Sequence, residues 1–291
     1  MLPARAAFGT RNYARHGPEA PCYGSKLRIM KRIHLFEFED SAWFPNWLRV
    51  CMTRLIVVMH RLMGTSEELA KIVDNALDAS GETKIMDLCS GSGGPMPEVV
   101  QVLEEKYNRK NIELTLSDLY PNLKAAERFN SEKDNVNYET QPVDVTKIGA
   151  DKQGLRTMIC SFHHMKPEAA KQILQSAQND NQPICIFEIS DNSAPILPAL
   201  ILSFPITFVM CLFITPLARP MTWQQLVFTY LIPIIPICYA WDGSVSNVRT
   251  YTLKDLDELI SDIQTESYTW EKGTIGGRMK KMYLTGMPTK S

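Results

Sequence analysis

The run Lys84-Ile-Met-Asp-Leu-Cys-Ser-Gly-Ser-Gly-Gly-Pro95 drives an apolar segment directly into three glycines and a proline, and this narrows the fold more than anything else in the chain. Glycine has no Cβ and tolerates positive φ, so the backbone can turn sharply there and a ligand can come close. Pro97 then opens a helical pattern, which makes the unit strand, turn, helix. The region that follows repeats the alternation. Candidate strands are Lys84 to Leu88, Glu113 to Ser117, Asn137 to Pro142, Thr157 to Ser161 and Pro183 to Glu188, with candidate helices Pro97 to Tyr107, Leu123 to Asn130 and Pro167 to Gln178 between them. Leu253 to Ile263 reads as a further helix, and Tyr268 to Trp270 and Lys281 to Thr285 as closing strands. Such alternation predicts an α/β fold, a mainly parallel sheet with helices on both faces. Ligands of such sheets bind beyond the carboxyl ends of the strands.

Two acids flank the turn. Asp87 precedes it, and Asp118 closes the next strand, where a carboxylate can accept hydrogen bonds from ribose hydroxyls. The nicotinamide fingerprint fails, because the position that needs Gly or Ala is Met96, and the chain has no Gly-Lys-Ser/Thr phosphate loop. Asp87-Leu-Cys-Ser-Gly91-Ser-Gly93 instead resembles the first motif of the class I S-adenosylmethionine-dependent methyltransferases, with Cys89 where the family has its first glycine. The resemblance covers roughly residues 80 to 191, and the closing helix and strands follow in family order. It implies a Rossmann-like methyltransferase sandwich with a mostly parallel seven-stranded sheet, and S-adenosyl-L-methionine as cofactor. By the same resemblance Asp87, Gly91, Ser92 and Gly93 form the cradle, Asp118 and Leu119 the ribose contact, Asp144 and Val145 the adenine contact, and Ser161 the edge facing the methionine part.

Methyl transfer from a sulfonium requires in-line approach, exclusion of water and often a base. His163 and His164, at the end of the fourth strand, are the candidate catalytic residues because imidazole titrates near neutrality. Packing and hydrogen bonding in the rim is the alternative reading of both histidines, and Glu188 and Asp191 at the end of the fifth strand are as well placed. A tandem pair of histidines without a nearby third ligand is a poor metal site, and no metal is expected. Ser161-Phe-His-His does not match the Asn/Asp-Pro-Pro-Tyr or Phe tetrad of family members that methylate base amines. With no basic stripe in the folded part, no nucleic-acid partner is expected.

Charge is spread unevenly. The 291 residues are 22% charged with a net charge of -1, yet between Asp191 and Asp242 Arg219 is the only Lys, Arg, Asp or Glu. Ile196 to Leu217 is long enough to cross a bilayer core of about 30 Å, and Met221 to Ala240 nearly so. Prolines, among them Pro195, Pro198, Pro205, Pro216, Pro233 and Pro236, argue against regular spans, and the sheet resumes afterwards. Residues 192–241 are therefore read as a hydrophobic hairpin insertion over the acceptor side, either a lid or a membrane contact through 194–240. Trp241, Asp242 and Arg249 are expected either to line the acceptor entrance or to anchor the hairpin base by an ion pair.

Residues 1–31 read as a basic tail, with Arg5, Arg11, Arg15, Lys26, Arg28 and Lys31 against Glu19; an organellar transit peptide is the alternative. Residues 32–82 read as an N-terminal helical cap. It alternates around Leu35, Phe36 and Phe38, turns amphipathic from Trp43 onward, and continues in a second helix capped at Thr65-Ser66. Residues 83–191 and 242–291 make the cofactor-binding domain. Seven scattered cysteines, with no Cys-x-x-Cys, fit a reducing intracellular compartment. The resulting expectation is methylation of a small hydrophobic or lipid-like acceptor by a membrane-associated enzyme. Its rivals are a membrane-associated binding or scaffold protein without turnover, and a soluble methyltransferase of a polar metabolite.

Overall fold

A computed structural model describes residues 30–41, 43–132, 135–149, 152–277 and 280–289. The basic-tail and transit-peptide expectations fall almost wholly outside them. Met30 and Lys31 are described, and Lys31 is tied down: its Nζ donates to the carbonyls of Asn192, Ser193 and Ala194.

Five short strands, β1 (Lys84–Leu88), β2 (Glu113–Ser117), β3 (Val136–Tyr138), β4 (Leu155–Ile159) and β5 (Ile184–Glu188), run parallel, and β6 (Tyr268–Ile275) and β7 (Lys281–Pro288) complete the sheet. The order is β3-β2-β1-β4-β5-β7-β6, with β7 antiparallel to both its neighbours. This is the Rossmann-like seven-stranded sandwich that the resemblance implies. Period-2 alternation sends successive side chains to opposite faces. Ile85, Cys185 and Phe187 join one core with α2 (Thr65–Ser80), α3 (Met96–Lys106) and α4 (Leu123–Glu132). Met86, Leu88, Ile184 and Ile186 join the other with α5 (Pro167–Asn179) and α9 (Leu253–Ile260). Chain order reverses between β1 and β4, so their carboxyl ends flank the crevice where ligands of open α/β sheets bind.

Several boundaries differ from the sequence expectation. β3 stops at Tyr138, well short of Pro142, because the chain then turns so that Val143 donates to the Asp118 carbonyl. β4 begins at Leu155, two residues before Thr157. Thr65-Ser66 does not cap α2: left-handed Gly64 occupies the cap position and makes no side-chain bond. The alternating segment around Leu35, Phe36 and Phe38 forms no strand. It is a strap held by Ile33 N–H to the Val248 carbonyl and by Asp242, which accepts the N–H groups of Phe38 and Glu39.

A third core lies outside the sheet. α1 (Asn46–Leu62) packs Leu48, Cys51, Met52 and Leu55 against Cys211 and Ile214 of α6 (Ile196–Ile214) and Ile235, Cys238 and Tyr239 of α8 (Ile234–Arg249). α6 and α8 form the hairpin, joined through α7 (Trp223–Leu226) and a wider turn. α8 runs unbroken from Ile234 to Arg249, across residue 241 where the sequence reading ends the insertion. With its terminal turn, Ile196–Leu217 is the one helix among the described residues long and apolar enough to cross a membrane, and only 6% of its apolar window is buried. The returning pair, Trp223–Leu231 and Ile234–Arg249, is bent by 82°.

Candidate active site

The glycine turn has the strained backbone its composition predicts. Gly91, Gly93 and Gly94 adopt φ of 55°, 111° and 53°. Cys89 is also left-handed, at φ 59°, a conformation that glycine adopts freely and other residues seldom do. A Cβ on Gly91 would meet nothing within 4 Å, leaving its backbone open to a ligand, whereas one on Gly93 would fall 2.6 Å from the Phe129 ring. The turn is braced from beneath. Asp87 is buried and accepts hydroxyl hydrogen bonds from Ser90 and Thr157, both at 2.6 Å. Burial pushes its carboxyl up to about 7, against the opposing effect of those two hydroxyls. Asp87 therefore shapes the cradle, and its side chain faces inward.

Asp118 accepts the Gly91 N–H at 2.9 Å and the Tyr120 N–H at 2.8 Å, binding the end of β2 to the turn. Leu119 beside it is exposed. Tyr138 donates its hydroxyl to the Gly91 carbonyl at 2.7 Å, and Asn122 donates to the Ser92 hydroxyl. Asp144 accepts from the N–H and hydroxyl of Thr146, which hold its carboxyl below the usual range, while Val145 is buried. Gly91, Ser92, Asp118, Asp144 and Ser161 all follow the carboxyl ends of parallel strands. The buried Ser161 hydroxyl has no partner.

His163 and His164 occupy a single helical turn after β4, with ring centroids 4.3 Å apart. His163 is buried. Glu188 accepts its N–H at 3.0 Å and faces its Nδ1 at 2.8 Å, while Nε2 has no partner. Burial disfavours the imidazolium, but the Glu188 carboxylate outweighs it and the His163 pKa is raised. His164 is more exposed, and its Nδ1 lies 2.8 Å from Asp40 and 3.6 Å from Glu37. Asp191 makes only a local turn, accepting from Ser193.

Asp242 and Arg249 do not pair with each other. Asp242 holds the strap, and burial together with nearby acids pushes its carboxyl up to about 7. Arg249, fully buried, pairs with Glu37 at 3.1 Å and Asp40 at 2.7 Å, and Trp241 donates to the Phe36 carbonyl. The anchoring expectation thus holds in a changed form: the hairpin base is fastened to the strap. Sequence reasoning missed Glu37, Arg32, Asn122 and Tyr138. Arg32 donates to the carbonyls of Arg249, Met165 and His163, and to the Tyr251 hydroxyl. The acid enclosed in Phe36-Glu37-Phe38 was the available signal for Glu37. All six described cysteines are free.

No family model matches the sequence, and no curated protein matches it. Among solved structures, the chain is similar to a plantazolicin methyltransferase in complex with SAH, at 10% identity and TM-score 0.49, covering 84% of this chain and 98% of that one. It is similar to human N-acetylserotonin methyltransferase with SAM at 15% identity and TM-score 0.49, covering 86% of this chain and 60% of the human one. A magnesium protoporphyrin IX methyltransferase from Synechocystis with SAH aligns at 12% identity and TM-score 0.44, over 79% of this chain and 87% of that one.

Proposed function

We propose that this protein is an intracellular methyltransferase that transfers a methyl group from S-adenosylmethionine to a small hydrophobic or lipid-like acceptor at a membrane surface. The observation that carries the reading is the Gly91–Gly93 turn, held by Asp118 at the carboxyl end of β1 next to the reversal of strand order. The residues fit the cofactor: Gly91 is open to close approach, Asp118 and Asp144 present carboxylates, and Ser161 has a buried hydroxyl without a partner. When bound, the cofactor supplies an electrophilic sulfonium methyl. The chain's part is to orient it through Gly91, Ser92, Asp118 and Asp144, and to exclude water with the strap and hairpin. Activation of the acceptor falls to the edge made by His163 and His164, with Glu188 fixing the His163 ring.

The apolar acceptor and the membrane rest on α6. Its residues Leu197, Ile201, Ile206 and Phe213 are each exposed, and such a contiguous apolar face marks an interaction surface. Exposed Trp43 and Trp223, with Arg49 and Arg54 nearby in the same layer, suit a bilayer interface. α6 packs Cys211 and Ile214 against α1 and α8 and leaves Leu197, Ile201, Ile206 and Phe213 exposed to meet a bilayer. Calorimetric titration with S-adenosylmethionine tests the cofactor: well-folded protein should bind it, and absence of binding overturns the enzyme reading. Incubation with methyl-labelled cofactor and lipid extract should place label in the organic phase; label confined to polar metabolites overturns the acceptor.

A further inference from the structure

We propose that Glu37, His163 and His164 form a binding site for a zinc ion at the acceptor edge. Their donor atoms all lie within 4.8 Å of one another, although Glu37 comes from the strap and the histidines from the turn after β4. The approaches are 3.9 Å from His163 Nε2 to one Glu37 oxygen and 3.6 Å from His164 Nδ1 to the other. Donors at about 2.0–2.1 Å from a tetrahedral ion stand roughly 3.4 Å apart, so to close the site donors up to 4.8 Å apart draw together by about an ångström and His164 Nδ1 exchanges its 2.8 Å contact with Asp40 for the ion. The second observation is His163 itself. In the neutral ring with Nδ1–H donating to Glu188, Nε2 carries the lone pair, and that atom is buried, without a hydrogen-bond partner, 3.9 Å from a Glu37 oxygen that Arg249 also holds at 3.1 Å. A proton on Nε2 or a metal cation satisfies both that nitrogen and the facing carboxylate, and the metal displaces the proton when it binds. Carboxylate, then imidazole, then metal is the arrangement by which proteins orient a ligating histidine.

The surrounding charge agrees. Glu37, Asp40, Glu188 and Asp242 stand against the guanidiniums of Arg32 and Arg249. Two imidazoles and one carboxylate suit zinc, and three protein ligands leave a coordination position open. The use of that position rests on the methyl-transfer reading: it would take the acceptor's heteroatom and lower its proton affinity. Binding of the ion does not rest on that reading. The test is titration of the full chain with Zn²⁺, and with Co²⁺ as a spectroscopic probe, alongside S-adenosylmethionine titration of the same samples. About one equivalent should bind, with tetrahedral Co²⁺ absorption, and His163→Ala or Glu37→Gln should weaken metal binding by more than about 100-fold. S-adenosylmethionine affinity should stay within about threefold, since neither residue lies in the cradle. Folded protein that takes up no metal at micromolar concentration, or that binds equally well in Glu37→Gln, overturns the site. Loss of cofactor binding alone overturns only the methyl-transfer reading.

Discussion

Asp118 accepts the backbone N–H of Gly91 at 2.9 Å, so one carboxylate joins the end of β2 to the turn that leaves β1. It shapes the turn, and on the proposed methyl-transfer reading it is the carboxylate that meets the cofactor's ribose. Asp118→Ala removes the acceptor from Gly91 and Tyr120 in a partly exposed setting, which costs about 1 kcal/mol of stability. The larger expected effect is on S-adenosylmethionine, at least about tenfold weaker by calorimetry. Equal affinity in parent and variant removes Asp118 from the cofactor site.

Gly93 shows the cradle's steric limit. At φ 111° a side chain is strained whatever the space, and a Cβ would press on the Phe129 ring at 2.6 Å. Gly93→Ala is expected to lose about 2–4 kcal/mol, combining backbone strain with overpacking. Thermal unfolding measures it, and Gly91→Ala supplies the contrast. That position is strained at φ 55° but has open space, so its stability loss is smaller while cofactor affinity still falls.

The parallel sheet was legible because its strands are short apolar runs separated by glycine and polar turns, a signal carried within five or so residues. β1, β2 and β5 end where the pattern says they end, at Leu88, Ser117 and Glu188. The candidate cofactor residues were readable for the same reason: Gly91, Gly93 and Asp118 follow strand ends directly, and Asp144 lies in the loop after β3. The meeting of the strap with the histidines was not. Glu37 and His163 are remote in sequence and meet only because Asp242 and Arg249 pin the strap across the hairpin base. Nor did periodicity disclose the strap, since alternation around Phe36 describes which side chains are covered and cannot say whether a partner strand exists. Glu37, the third donor of the proposed zinc site, was hidden by that tertiary contact.

His60 makes stability depend on pH. Its ring is buried in α1 with Nδ1 unpartnered, and burial, with Lys281 nearby, pushes its pKa from the usual 6.5 to about 4. Between those values the unfolded chain binds the proton and the folded one does not, so stability rises with pH across this interval and is lost as pH falls through it. The contribution at neutral pH, relative to below pH 4, is about 3 kcal/mol. Urea unfolding at a series of pH values should show a flatter slope from pH 6.5 to 4 in His60→Gln than in the parent. Identical slopes rule out His60 as the titrating group.

Ile206 and Phe213 of α6 are 65% and 76% exposed, so they contribute little to the fold and much to whatever covers them. Burying each fully is worth about 1.5–3 kcal/mol. Replacing both by Glu removes that gain and adds charges that must be dehydrated or repelled at an anionic bilayer. Partition onto vesicles of mixed zwitterionic and anionic lipid should fall by more than about 100-fold in Ile206→Glu/Phe213→Glu. The melting temperature should move by only a few degrees, because neither side chain is in the third core. Salt separates the two contributions: raising it weakens the attraction of Arg49 and Arg54 for anionic headgroups and leaves apolar insertion intact. If parent and variant stay equally in the vesicle-free supernatant, the face meets no membrane, and a lipid-presented acceptor goes with it.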